Sequence, residues 1–287
     1  MIKCIASDMD GTLLNSMEKI SEENVRAIKM AQENGVNFII ATGRSYKEAR
    51  HMLDEAGVNC SVLSLNGAAV YDESGKMIAD DPLHIKSVQQ VRKVLDEHKL
   101  YYEIYTNKGI FTYSKEQSLA ILVDILVAAM PNLNPSLIAE KARERIESDF
   151  ITLIDDYDKL YDIPDLQFYK FLIFSDDDSL LGEISGQLNQ SPELAVSSSG
   201  PGNLEITNQT AQKGIALSHF VEERNIALSD TMAIGDNFND CSMFERVGKP
   251  VAMGNAPAEI KKLCSEVTLT NDENGVAKAI LKAISQQ

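Results

Sequence analysis

The sequence predicts an α/β protein: a Rossmann-like parallel-sheet core carrying an inserted α+β cap domain. Near both ends of the 287-residue chain, short apolar runs alternate with amphipathic stretches, the pattern of a parallel sheet with crossover helices. Between them the strands and helices fall into blocks, which breaks that alternation and predicts the insert. Two of the apolar runs end in short acidic loops, at the strand ends where open parallel sheets hold their ligands. The spacing places a discontinuous core at residues 1–82 and 208–287 and the insert at residues 83–207.

The first run, Ile2 to Asp8, has the length of a buried strand and opens into Asp8-Met9-Asp10-Gly11-Thr12-Leu13-Leu14. Ser21 reads as an N-cap. Glu22, Glu23 and Asn24 follow it, then apolar Val25, Ile28 and Met30, with Asn34-Gly35 as the stop. A second run, Val36 to Ala41, ends in Thr42-Gly43-Arg44, and helical spacing over Tyr46–Ala56 leads to a strand at Ser61–Leu65. Strand and helix in this order make right-handed βαβ units. Asp72-Glu73-Ser74-Gly75 between Ala68–Tyr71 and Lys76–Ile78 reads as a hairpin.

Beyond Pro82 the spacing predicts helices at Ser87–His98, Lys115–Ala129, Ser136–Ile146 and Ser179–Asn189. Strands are predicted at Tyr101–Tyr105, Ile110–Tyr113, Phe150–Ile154, Phe168–Phe174, Glu193–Ser197 and Leu204–Thr207. After Lys213 the alternation returns, with a helix over Gly214–Arg224, a strand over Thr231–Ile234 and a second acidic loop, Gly235-Asp236-Asn237-Phe238-Asn239-Asp240.

Composition narrows the function classes. The chain is 44% apolar and 24% charged, the balance of a globular protein with a substantial core. Its net charge of −16 repels nucleic acid and acidic lipid, so neither is an expected partner. A small phosphorylated substrate remains compatible, because local positive charge overrides the global sign at contact distance. Cys4, Cys60, Cys241 and Cys264 are scattered without CxxC spacing, and buried reduced thiols are the expectation. The N-terminus lacks a signal peptide's apolar run, and no stretch reaches the roughly 20 apolar residues of a membrane span. A cytoplasmic protein is expected, and its oligomeric state leaves no signature.

The chemistry-bearing residues cluster in the loops. Two carboxylates two apart, Asp8 and Asp10, turned by Gly11, can converge on one hard cation through oxygen. One can attack phosphorus while the other handles the leaving-group proton. Alone, the heptapeptide also reads, less favourably, as a capped turn after a strand, and Asp236 in the second loop as an N-cap preceded by a turn. Together, two acidic loops after two parallel strands predict a magnesium site. Thr42, Gly43 and Arg44 offer a hydroxyl and backbone N–H groups before a helix, where phosphate binds well. Lys213 opens another helix, although a lone lysine is usually a solvated surface charge.

DMDGTLL, ATGR, Lys213-Gly214 and GDNFND together resemble the four ordered motifs of the haloacid dehalogenase (HAD) superfamily of phosphatases. Leu65-Asn66-Gly67-Ala68 and the long insert resemble its Cof-type branch, whose members carry a large α/β cap at that place. Gln212 stands before the lysine where many relatives have Ser. The resemblance implies Asp8 as nucleophile and Mg²⁺ ligand, and Asp10 as general acid/base with its backbone carbonyl on the metal. It implies Thr42 and Lys213 on the phosphate oxygens and Asp236 as the remaining metal carboxylate. Asn239 and Asp240 match polar supports of that loop and of the phosphate. The implied activity is Mg²⁺-dependent hydrolysis of a small phosphorylated metabolite (sugar phosphate, nucleotide, or phosphorylated cofactor or precursor) through an aspartyl-phosphate. The insert would then serve as a lid that selects the substrate.

Two other classes combine similar groups. A phosphomutase would return the phosphoryl group to its substrate, and a phosphoryl-accepting signalling module would hold it. Asp155-Asp156-Tyr157-Asp158 reads as a solvated loop, Asp176-Asp177-Asp178 as acidic residues favouring a helix start, and the aromatics Tyr101 to Tyr113 as packing in the insert.

Overall fold

The computed structural model of the protein describes residues 1–114, 119, 123, 140, 143, 151–199 and 202–285. It divides into two compact units, one made of Met1–Asp81 with Ala211–Gln287, the other of Pro82–Thr210. Of the predicted helices over residues 115–129 and 136–146, only Leu119, Val123, Glu140 and Arg143 are among the described residues, and these four are helical.

Strand β1 (Cys4–Ser7) is buried at all four positions, as a strand paired on both edges and covered on both faces must be. Ser21 caps α1 (Glu22–Glu33) by accepting from the Asn24 N–H at 3.1 Å. After β2 (Asn37–Ala41), a capping box between Ser45 and Glu48 opens α2 (Tyr46–Ala56). Strand β3 (Ser61–Ser64) then leads to the hairpin of β4 (Ala69–Tyr71) and β5 (Met77–Asp80).

The second unit contains α3 (Ile85–Glu97), β6 (Tyr101–Thr106), β7 (Gly109–Thr112) and β8 (Ile151–Leu153). It continues with β9 (Phe168–Phe174), α4 (Asp178–Leu188), β10 (Leu194–Ser197) and β11 (Asn203–Asn208). The chain returns to the first unit through α5 (Lys213–Glu223), β12 (Thr231–Gly235) and α6 (Cys241–Phe244). It closes with β13 (Lys249–Ala252), α7 (Ala258–Leu263), β14 (Glu266–Val267) and α8 (Gly275–Ser285).

The core sheet runs β14-β13-β12-β1-β2-β3-β4-β5, parallel from β14 to β3 and antiparallel through the hairpin. The apolar runs alternate their side chains between two separate clusters. Ile5, Ile40 and Ile234 pack with Ile28, Leu53 and Ile280 from α1, α2 and α8. Cys4, Ala6, Ile39 and Ala233 pack with Leu217 and Phe220 from α5. Each such large aliphatic side chain contributes about 1.5–3 kcal/mol by leaving water. Helices on both faces make this a doubly wound sheet, and its central strands are β1 and its neighbours β2 and β12.

The second unit is built on a sheet ordered β10-β11-β9-β6-β7-β8, antiparallel except where β7 meets β8. One face carries Tyr102, Ile104, Phe171, Ile173 and Ile206 against α3 and α4. The other buries charge: Lys170 pairs with Glu205 at 2.8 Å and lies over the Tyr105 ring, whose hydroxyl donates to Glu103. The aromatics expected as one packing set are thus divided between an apolar face and a polar one, because alternate residues of a strand point to opposite sides.

The sequence places the insert at residues 83–207, and the second unit runs over Pro82–Thr210. Asn208 Nδ2 donates to the Pro82 carbonyl and the Gln209 N–H to Glu193, which ties Pro82 and the residues just after 207 to the second unit. Asp158, expected in a solvated loop, is exposed and pairs there with Arg92 at 2.7 Å, while Asp156 caps the short turn Tyr157–Asp162. All four cysteines are unbridged, with Cys4 and Cys60 buried and Cys241 and Cys264 only half-buried. Among the described residues no helix is long and apolar enough to cross a membrane.

Candidate active site at the carboxyl ends of three adjacent strands

Asp8 directly follows β1, and its N–H donates to the Ile234 carbonyl of β12 at 2.9 Å. The chain then turns tightly through Met9–Leu13, with Gly11 at φ 71°. A Cβ at Gly11 would lie 2.5 Å from Asp236 Oδ2, so both the left-handed turn and the close approach of the second acidic loop require glycine. Buried Thr12 completes the contact by donating from Oγ1 to Asp236 Oδ1 at 2.8 Å.

The second loop leaves β12 and is braced by Asp240. Its Oδ2 accepts from the N–H groups of Asp236 and Asn237 at 2.9 and 3.1 Å. Its Oδ1 accepts from Lys213 Nζ at 2.7 Å, and the same ammonium donates to Asp8 Oδ1 at 2.6 Å. Lys213, a lone lysine by sequence, is fully buried because it is the counter-ion of two carboxylates.

Asp8, Asp236 and Asp240 each offer a carboxylate oxygen, and these lie within 4.8 Å of one another. A single ammonium does not neutralise them. Burial pushes the Asp8 carboxyl well above the ordinary range; Lys213 opposes this, and Asp240, Asp236 and Asp10 reinforce it. Burial also raises Asp236 to about 7, with Asp240 adding to the rise and the Thr12 hydrogen bond and Lys213 opposing it. For Lys213, burial favours the neutral amine, but the charges of Asp240 and Asp8 outweigh it and hold the ammonium protonated.

The donor set fits Mg²⁺. It is all oxygen, hard and anionic, with no histidine or cysteine in the cluster. Asp240 is committed through both oxygens, whereas Asp8 Oδ2 and Asp236 Oδ2 accept no hydrogen bond among the described residues. Those two carboxylates are the ones able to hold the ion.

This charge imbalance makes a testable prediction. A carboxyl whose folded pKa is raised supports the fold fully below the ordinary carboxylate value of 3.8, and that support is lost as pH rises through about 7. A divalent cation favours the carboxylates and reverses the loss. The gain in Tm on replacing EDTA by Mg²⁺ is therefore expected to be larger at pH 8 than at pH 5. Thermal scans in the two buffers test this, and an equal or inverted gain would contradict a cation held by these carboxylates.

The remaining predicted residues sit one strand over. Thr42 follows β2, is fully buried, and accepts from the Arg44 N–H at 3.1 Å through Oγ1, which leaves its single O–H proton to donate. Gly43 forms the turn between them. The Arg44 side chain grips Asp10, with Nε to both carboxylate oxygens at 2.9–3.0 Å and Nη2 to Oδ1 at 2.6 Å. Burial favours the neutral guanidine, but the Asp10 charge outweighs it and holds Arg44 charged. The Asp10 carboxylate is thus engaged by Arg44, while its charge still acts on Asp8 and Asp236. Asn239 donates from Nδ2 to Asn66 Oδ1 at 3.4 Å.

Sequence reasoning did not assign Thr12 as partner of Asp236, Arg44 as partner of Asp10, or the contact of Asn66 with Asn239. The signals were there, since Thr12 and Arg44 lie inside the quoted motifs and Asn66 inside LNGA. Their partners, however, are 34 to 224 positions away in the chain.

A family model for haloacid dehalogenase-like hydrolases matches residues 5–280. The chain is 34% identical over 278 residues to Phosphatase YwpJ of Bacillus subtilis, covering 96% of this chain and 98% of that protein. It is also 34% identical over 287 residues to the 5-amino-6-(5-phospho-D-ribitylamino)uracil phosphatase YwtE of Bacillus subtilis, covering 100% and 99%. The solved structure of a haloacid dehalogenase-like hydrolase from B. subtilis superposes with a TM-score of 0.91 at 33% identity, over 98% of this chain and 99% of that one.

Proposed function

The chain belongs to the haloacid dehalogenase-like hydrolases and is a phosphatase of small phosphorylated substrates, and from that premise we propose that it works through a covalent aspartyl-phosphate on Asp8 with Mg²⁺ as cofactor. The observation that carries this reading is the buried Lys213 ammonium, bonded at once to Asp8 and Asp240 beside Asp236.

The Lys213 ammonium, bonded to Asp8 Oδ1, fixes the carboxylate in place. In the first step a carboxylate oxygen of Asp8 forms a bond to phosphorus, the bond from phosphorus to the leaving oxygen breaks, and Asp10 delivers a proton to that oxygen. In the second, water attacks phosphorus, its proton passes to Asp10, and the bond to Asp8 breaks to release inorganic phosphate. Arg44 holds the Asp10 carboxyl in place, with Nη2 to Oδ1 at 2.6 Å. The Lys213 ammonium and the Thr42 hydroxyl balance charge on the transferring oxygens. Asp8, Asp236 and the Asp10 backbone carbonyl would hold Mg²⁺, which would supply further neutralisation of that charge.

Asp10→Asn is expected to slow turnover by about 10²–10⁴-fold for metabolites with poor leaving groups. The loss should shrink for p-nitrophenyl phosphate, whose leaving group needs no proton. Equal losses on both substrates would remove Asp10 from the acid role.

Discrimination among metabolites is assigned to the inserted unit, because the core residues named above serve the phosphoryl group and the metal. Replacing Pro82–Thr210 by a short linker should leave slow hydrolysis of p-nitrophenyl phosphate. The preference for the best metabolite, taken as a ratio of kcat/KM values, should be lost. A folded truncated protein with an unchanged ratio would place specificity in the core. The function itself is tested by phosphate release across a panel of sugar phosphates, nucleotides and phosphorylated cofactor precursors, including a ribityl phosphate of the kind named for the YwtE relative. Each is measured with Mg²⁺ and with EDTA, and phosphate released only once per protein, or equally in EDTA, would overturn the reading.

A further inference from the structure

The turn Leu65-Asn66-Gly67, at the carboxyl end of β3, has no part in the scheme above, yet its backbone is the most constrained in the core unit. All three residues have positive φ, at 52°, 58° and 96°, and no other three consecutive residues do so among those described. A left-handed leucine is disfavoured by its Cβ against the following carbonyl. Such conformations persist only where the surroundings over-determine them, and they concentrate at functional sites.

The surroundings here are the loops of the candidate site. The Asn66 N–H donates to the Thr42 carbonyl at 2.9 Å, and the Leu65 N–H to the Arg44 carbonyl at 3.0 Å. A Cβ at Gly67 would lie 2.8 Å from both the Gln212 carbonyl oxygen and Ala216 Cβ, so the turn packs against the start of α5, which begins at Lys213. The Asn66 side chain is 4% exposed, and its Oδ1 accepts from Asn239 Nδ2 at 3.4 Å. A single turn therefore touches the Thr42 loop, the helix of Lys213 and the Asn239 loop.

Resting on the phosphatase reading, we propose that Asn66 is a positioning residue for the phosphoryl group: its main chain sets Thr42 relative to Lys213, and its carboxamide orients Asn239. The left-handed backbone explains why an asparagine, among the residues that best tolerate that region, occupies the centre of the turn.

Asn66→Gly separates the two roles, since glycine adopts the backbone freely and lacks the carboxamide. With p-nitrophenyl phosphate and Mg²⁺, this variant should keep a Tm at or above that of the wild type. Its kcat/KM should fall about 10- to 100-fold, the cost of misplaced binding groups, and competitive inhibition by inorganic phosphate should weaken in parallel. Asn239→Ala should cost at least as much as Asn66→Gly in the wild type and little in the Asn66→Gly background, because the carboxamide acts through Asn239.

Wild-type kcat/KM and an unchanged phosphate Ki in Asn66→Gly would overturn the proposal, as would losses that simply multiply in the double variant. Should Asn66→Gly be poorly folded, Asn66→Asp keeps the turn preference and the acceptor oxygen. Its added charge should raise the phosphate Ki, and an unchanged Ki would equally overturn the idea. A wild type that releases no phosphate defeats the phosphatase reading along with this one, whereas an active wild type with an indifferent Asn66 defeats this inference alone.

Discussion

Asp8→Asn is expected to reduce kcat by about 10⁴-fold or more while leaving a folded protein, because an amide cannot form the acyl phosphate. Loss of the charge should not cost the fold much. Asp8 sits among Asp236 and Asp240 with one ammonium to share, and burial already disfavours its carboxylate. Lys213 keeps Asp240 as counter-ion at 2.7 Å in the variant. Single-turnover phosphate release and a thermal scan test both halves. More than about a tenth of wild-type kcat would remove Asp8 as nucleophile, and a large fall in Tm would contradict the electrostatic account.

Lys213→Met should affect both stability and rate. The side chain is fully buried between Asp8 and Asp240, and removing one partner of a buried ion pair typically costs about 3–5 kcal/mol by leaving charge uncompensated. The variant should therefore unfold at markedly lower temperature, and more so at pH 8 than at pH 5, where protonation relieves the stranded carboxylates. Turnover should fall by about 10²–10³-fold even where the variant is folded, since an ammonium facing the transferring oxygens is lost. Mg²⁺ should recover part of the Tm and little of the rate. A variant as stable as the wild type at pH 8 would mean that this lysine does not compensate the charge of the two carboxylates.

The elements and their order were legible in the chain because local chemistry specifies them. Ser21 accepts from the Asn24 N–H as its N-cap position implied, Asp177 caps α4, and the apolar runs became β1, β2 and β12, buried at nearly every position. The pairing of two distant acidic loops was also inferable, since parallel strands bring their carboxyl ends to one edge of the sheet. Lys213 was different. Nothing within several residues of it carries a compensating charge, so its sequence context describes a surface lysine, and only contacts 205 and 27 positions away make it a buried one.

The sequence by itself thus determined the doubly wound core, the presence of an inserted unit, and which carboxylates stand at the strand ends, because periodicity, caps and turn residues act over a few positions. Only the tertiary structure decided where each side chain points. It turned Asp10 toward Arg44, set Thr12 on Asp236, committed both oxygens of Asp240, and locked Leu65 and Asn66 into a left-handed turn. The physical reason is that hydrogen bonds and charges are satisfied by whatever lies within about 3 Å. In a doubly wound sheet, residues that close in space are drawn from loops 27 to 224 positions apart, and no local pattern records which of them will meet.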